Sequence, residues 1–183
     1  KFLSFAHHIE TAEEAKQIVD ACRKKYYDAR HVCWAYMLGW QRSDFRSNDD
    51  GEPSGTAGRP ILGQINSNEL TDIIILVVRY FGGTLLGTSG LIKAYKEAAS
   101  DAIANAVVIE KTVNDILIIH FDYQLLNEVM RVLKQFDSVH WTQDFKESCT
   151  MTLEIKKSQL EQLRNSLTAI YGVEVKSVEQ EDE

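Results

Sequence analysis

Ile73-Ile74-Ile75-Leu76-Val77-Val78-Arg79-Tyr80-Phe81-Gly82-Gly83-Thr84-Leu85-Leu86-Gly87-Thr88-Ser89-Gly90 joins six uninterrupted aliphatic residues to a loop with four glycines in nine positions. An aliphatic run without polar alternation predicts a strand covered on both faces, each buried side chain contributing about 1.5–3 kcal/mol. That strand is expected at the centre of the core. The glycines predict a backbone that turns sharply and comes close to a ligand or to another segment. A helix is expected to start at Thr88 or Ser89, both good N-cap residues, with free N–H groups and the positive dipole end facing the loop. Such an end attracts anions.

Upstream lies a second segment of the same kind, Asp49-Asp50-Gly51-Glu52-Pro53-Ser54-Gly55-Thr56-Ala57-Gly58-Arg59-Pro60. It holds both prolines of the chain, so that seven of the ten glycines sit in two loops. Its place between two strands predicts a shaped loop rather than a linker. Ser54, Thr56 or a neighbour is expected to cap a helix whose inner face carries Ala57, Ile61, Leu62 and Ile65, with Pro60 in its first turn. Asp49, Asp50 and Glu52 have residue types suited to a hard cation or to acid–base chemistry. The simpler reading is an ion pair with Arg79, which leaves a buried strand and needs a partner. Ser54, His31 and Asp50 have the types of a hydrolase triad, but the G-x-S-x-G elbow is absent. Neither a Walker sequence nor the Rossmann glycine spacing is met. Arg59, Arg79, Lys93 and Lys96 are the cations near the two loops and form a candidate anion-binding patch.

The flanking chain supplies the remaining elements. Residues 1–8 read as a strand and 11–27 as a helix, with Thr11 as cap, Glu14 in capping-box position and a stripe of Ala15, Ile18, Val19 and Cys22. Residues 32–38 read as a strand. His31 and Cys33, two positions apart, form too small a set for a metal site and read as a loop histidine and a core cysteine. Residues 40–48, with Arg42 and Arg46, are expected to form an exposed hairpin edge. The helix at 90–106 turns Leu91, Ala94, Tyr95, Ala98, Ala102 and Ile103 inward, and a short strand is expected within 106–112. The pattern then becomes strand 116–121, helix 124–136, strands 139–145 and 149–155, helix 158–171 and strand 173–178, the βαββαβ order of a ferredoxin-like domain. Trp141 and Phe145 alternate with Val139 and are expected to face the core, and no aromatic RNP strand is present.

Composition narrows the class. At 183 residues, 44% hydrophobic and 26% charged, the chain can bury a real core. Its apolar runs are far short of a membrane span. The net charge of −7 argues against a protein coated in cations for non-specific nucleic-acid binding, yet leaves room for a local basic patch. Residues 179–183 are expected to be a solvated acidic tail. The three cysteines, odd in number and without a CxxC, predict a reducing cytoplasm. The chain opens on Lys1, so its natural start is expected upstream.

The stretch 47–62, the run Val78-Arg79-Tyr80-Phe81-Gly82-Gly83-Thr84-Leu85-Leu86-Gly87 and the segment Asp28-Ala29-Arg30-His31-Val32-Cys33-Trp34-Ala35-Tyr36 closely resemble the YigZ/IMPACT family. The resemblance is strong over residues 1 to about 110 and extends to the bacterial branch's smaller C-terminal domain. It implies an α+β fold of two domains. Residues 1–110 would form an IMPACT-family N-terminal domain like those of ribosomal proteins and elongation factors, with a left-handed βαβ crossover. Residues 111–183 would form a ferredoxin-like domain similar to the last domain of elongation factor G. Where the family has Gly-Gly-Leu-x-Arg-Ala-Tyr, this chain has Ser89-Gly90-Leu91-Ile92-Lys93-Ala94-Tyr95, which keeps the charge but loses bidentate phosphate geometry.

Eukaryotic relatives act in translational control by competing for an activator of a starvation-responsive kinase. The resemblance therefore implies a non-enzymatic cytoplasmic protein, without cofactor, that binds RNA, the ribosome or a translation-related protein partner. The expected surface comprises Gly82, Gly83, Gly87, Thr88, Ser89, Lys93 and Lys96 with Arg59 and Arg79, beside the motif loop of Asp49, Asp50, Gly51, Glu52, Ser54, Gly55, Thr56 and Gly58. The alternative is an enzyme or sensor that takes a phosphorylated small molecule in the same cleft, and a third reading has both loops simply lock the fold.

Overall fold

The computed structural model describes residues 1–83, 85–136, 139–145 and 149–177. They form an α+β chain with two four-stranded sheets, divided into compact units Lys1–Ile109 and Glu110–Glu183.

The first unit is built on β4 (Ile73–Arg79), which pairs antiparallel with β1 (Phe2–His8) on one side and β2 (His31–Leu38) on the other. β3 (Asp44–Asn48) completes the sheet in the order β1-β4-β2-β3. Ile74 to Val78 are each 0% exposed, as an unbroken aliphatic run requires. Their side chains alternate: Ile74, Leu76 and Val78 pack with Val19 and Cys22 of α1 (Ala12–Lys25), and Ile75 and Val77 with Ile61 and Ile65 of α2 (Gly58–Ser67). Leu91, Tyr95 and Ala99 of α3 (Gly87–Ala104) share that second core.

The caps decide where these helices begin. Thr11 Oγ1 accepts the Glu14 N–H at 3.2 Å, and the Glu14 carboxylate accepts the Glu10 N–H at 2.7 Å, a capping-box exchange displaced by one residue. Neither Thr88 nor Ser89 caps α3. Both lie inside its first turn, because Gly87, at φ +69°, turns the chain into the helix one residue earlier. The short strand expected within 106–112 does not form: after α3 the chain carries no regular structure until residue 114, and Val107 is 90% exposed.

The second unit runs β5 (Asn114–Phe121), a 3₁₀ turn and α4 (Leu126–Leu133), β6 (His140–Phe145), β7 (Cys149–Lys156), a second 3₁₀ turn and α5 (Leu160–Thr168), and β8 (Glu174–Ser177). The sheet order β6-β7-β5-β8, antiparallel throughout, is the ferredoxin-like arrangement. Both helices are shorter than their apolar stripes predict, since each first turn is 3₁₀. Trp141 stands opposite the fully buried Leu153 but remains 40% exposed, because β6 is an edge strand. The Phe145 side chain and the tail 179–183 lie outside the described residues.

Candidate functional site

The two glycine-rich loops meet in the first unit and are made in opposite ways. In the upstream loop the chain folds around its own acids. Asp49 accepts the Gly55 N–H at 2.8 Å through Oδ2, and the Ala57 and Gly58 N–H groups at 3.0 and 2.8 Å through Oδ1. It thereby caps α2 from eight residues upstream. Ala57, at the N-cap position, has no side chain for the task, and Thr56 donates to the Pro53 carbonyl instead. Burial alone would raise the Asp49 pKa, but the backbone donors Gly55, Gly58 and Ala57 outweigh it and hold the carboxyl below its ordinary range. Gly58 is obligatory for another reason: a Cβ there would lie 2.8 Å from the Asn48 backbone nitrogen.

Asp50 takes a left-handed backbone, φ +43°, and ties the loop to its surroundings. Its carboxylate accepts from Val32 N–H at 2.7 Å and from Arg23 Nη2 at 2.6 Å. The Asp50 carbonyl lies 2.7 Å from His31 Nδ1. A carbonyl only accepts, so Nδ1 carries a proton and donates it here.

Glu52 turns inward. Its Oε1 accepts from Arg79 Nη1 at 2.5 Å and from the Tyr95 hydroxyl at 2.8 Å, with the Glu52 and Arg79 side chains 3% and 10% exposed. The ion pair between the acidic loop and Arg79 is therefore present. The single S–H of Cys33 faces two acceptors, the Tyr95 hydroxyl oxygen at 3.3 Å and the Asp49 carbonyl at 3.0 Å. Burial pushes the Tyr95 hydroxyl well above its ordinary range, with Cys33 and Glu52 adding to the shift. Burial likewise pushes the Cys33 thiol up to about 12.

The downstream loop is bare by contrast. Phe81, Gly82, Gly83, Leu85 and Leu86 make no hydrogen bond to other described residues, and a Cβ at Gly82, Gly83 or Gly87 would meet nothing within 4 Å. Phe81 is 47%, Leu85 87% and Leu86 41% exposed. Between the loops runs a groove of about 450 Å³, lined by Arg30, His31, Glu52, Arg79, Phe81 and Leu86 among others.

Of the predicted cations, Arg79 is held by Glu52, Lys93 faces Glu97 at 3.8 Å, and Arg59 and Lys96 are exposed. Of these four, the groove takes only Arg79. Ser54 is exposed and makes no hydrogen bond to His31 among the described residues. Among those residues no group of three or more His, Cys, Asp or Glu is placed to hold a metal ion. Arg30 and Tyr95 are members that sequence reasoning passed over, and His31 was weighed only for a metal pair and a hydrolase triad. Tyr95 carried a usable signal, since a buried hydroxyl requires a partner.

Residues 1–103 match the family described as the Impact N-terminal domain. The chain belongs to the IMPACT family. It is 35% identical over 135 residues to "IMPACT family member YvyE" of Bacillus subtilis, covering 74% of this chain and 62% of YvyE. It is 36% identical over 139 residues to "IMPACT family member YigZ" of Escherichia coli, covering 75% of this chain and 68% of YigZ. A solved structure described as a hypothetical protein superposes with a TM-score of 0.65 at 29% identity, covering 98% of this chain and 89% of that one. Both motif loops of this IMPACT-family chain fall within the matched residues, and no described helix is long and apolar enough to cross a membrane.

Proposed function

We propose that this IMPACT-family chain is a non-enzymatic cytoplasmic regulator of translation that docks a protein partner on the bare loop and the exposed start of α3. One observation carries the reading: the upstream loop spends its polar groups inside the fold, whereas Phe81, Leu85 and Leu86 are exposed and nothing in the fold requires them there. Ile92, on the first turns of α3, is a further exposed apolar side chain at 43%. Exposed large apolar side chains grouped on one surface mark a protein contact. The link to translation rests on the family resemblance. RNA is the weaker reading, because of the four predicted cations only Arg79 lines the groove, and Lys93 faces Glu97.

A photocrosslinking residue at Leu85 tests this in cell extract. The expected product is a covalent adduct to a protein of the translation machinery, lost on Ile92→Asp and insensitive to ribonuclease. An adduct to RNA would replace the protein reading with a nucleic-acid one. Its binding would then weaken with salt, with a slope reduced by about 0.7 for each single-strand phosphate contact removed in Lys93→Ala/Lys96→Ala. No adduct to either would remove the function proposed.

A further inference from the structure

The Glu52–Arg79 pair is unfinished. An arginine and a carboxylate that serve only to lock a fold commonly meet through two parallel hydrogen bonds. Here both hydrogen bonds of the Glu52 carboxylate pass through Oε1, and the Arg79 guanidinium donates through Nη1 alone. Glu52 Oε2 and Arg79 Nε and Nη2 make no hydrogen bond among the described residues, and one face of the guanidinium lies over the Phe2 ring at 5.7 Å. None of the three is among the polar atoms sealed from solvent without a hydrogen bond among the described residues. Two side chains that are 3% and 10% exposed thus keep open valences that water can reach, and both line the groove.

The surrounding groups sort by polarity. On the acceptor side stands Glu52 Oε2, with His31 Nε2 beside it, 3.9 Å from Glu52 Oε1. On the donor side stand Arg79 and Arg30, the latter exposed on the rim and making no ion pair among the described residues. To these is added the start of α3. This helix of 18 residues opens at Gly87 and Thr88 in the groove wall, and Leu86 at its N-cap supplies no side-chain cap. Phe81, Leu86 and Leu91 give the groove an apolar side.

We propose that the groove is a binding site for a small phosphate ester with a free hydroxyl. The phosphate lies over the N-terminus of α3 between Arg30 and the unused donors of Arg79, where N–H groups and guanidinium charge converge. The hydroxyl donates to Glu52 Oε2, beside His31, and fills the acceptor that the fold leaves open. The groove's volume of about 450 Å³ falls in the range of small-molecule sites. The inference goes beyond the partner-binding reading and is tested on the purified chain alone.

The experiment is an amide-resolved NMR titration with ribose 5-phosphate, ribose and inorganic phosphate, on the natural chain and on Arg30→Ala and Lys93→Ala. Ribose 5-phosphate is expected to shift the Gly87 and Thr88 amides and to bind at least about tenfold tighter than inorganic phosphate, with ribose inert. Arg30→Ala, at an exposed position, should weaken it about tenfold by removing a charge-assisted contact. Lys93→Ala, outside the groove, should change it less than about twofold. Equal affinity for the ester and inorganic phosphate, indifference to Arg30→Ala, or shifts centred on Lys93 and Lys96 would each mean an adventitious anion only and overturn the proposal.

Discussion

Replacing Asp49 by alanine leaves three N–H groups without their acceptor, and the structure apportions the loss. Oδ1 serves Ala57 and Gly58 at the start of α2, the equivalent of an N-cap, whose removal costs about 1–2 kcal/mol. Oδ2 serves Gly55, and that bond adds about 1 kcal/mol. Asp49→Ala should therefore destabilise the first unit by about 2–3 kcal/mol. Asp49→Asn keeps an oxygen at the Oδ1 position and should lose only about 1 kcal/mol. Urea unfolding at pH 7, followed through Trp34 and Trp40, reads both values. The pH dependence has a fixed sign. The folded carboxyl titrates below the unfolded one, so its charge contributes fully above the ordinary carboxylate pKa of about 4 and the contribution fades as pH falls through the folded value. The gap between the natural chain and Asp49→Asn should thus narrow below about pH 4. Equal losses for alanine and asparagine, or an alanine loss under about 0.5 kcal/mol, would refute the remote cap.

Three further outcomes follow from the same geometry. Gly58→Ala should destabilise by about 1–3 kcal/mol through overlap with the Asn48 backbone, whereas Gly63→Ala, in open space inside the same helix, should stabilise by up to about 1 kcal/mol; urea midpoints separate the two. Arg79→Met alone should cost about 3–5 kcal/mol by stranding the Glu52 carboxylate, and Glu52→Gln in the same chain should recover part of it; additive losses in this double-mutant cycle would deny the coupling. Cys33, with its thiol pKa near 12, should resist a thiol reagent at pH 8 in the folded chain and react at once in urea, and rapid labelling of the native protein would contradict its burial.

The sequence was most legible where one rule acts alone. An unbroken aliphatic run from Ile73 to Val78 has no use except between two layers, and Thr11 with Glu14 states a helix start in four letters. That Arg79 pairs with the acidic loop was readable because a charge leaving a core strand must find its opposite; which of Asp49, Asp50 and Glu52 it meets was not. What stayed hidden depends on distance in space. Asp49 caps a helix from eight residues away, and no local signature encodes that. Thr88 and Ser89 looked like caps because their chemistry is right, but Gly87 had already turned the chain. Residues 107–109 have strand composition and no neighbour to pair with, and Trp141 has core composition on an edge strand. The groove combines both kinds. Its motif loops announced themselves by glycine, while Arg30 and His31 joined it only through the fold.

The Glu52 carboxylate also fixes when the site can exist. Through one oxygen it joins residues 27 positions apart, to Arg79, and 43 apart, to Tyr95, and the Cys33–Tyr95 bond spans 62. Contacts of such separation are reached only after the intervening chain has closed, and their entropy must be met before they contribute. β2, β4 and α3 have to be assembled before Glu52 has anything to bind. The groove is thus a late product of the folding reaction, and a nascent or partly unfolded chain would carry both motif loops in its sequence and no site at all.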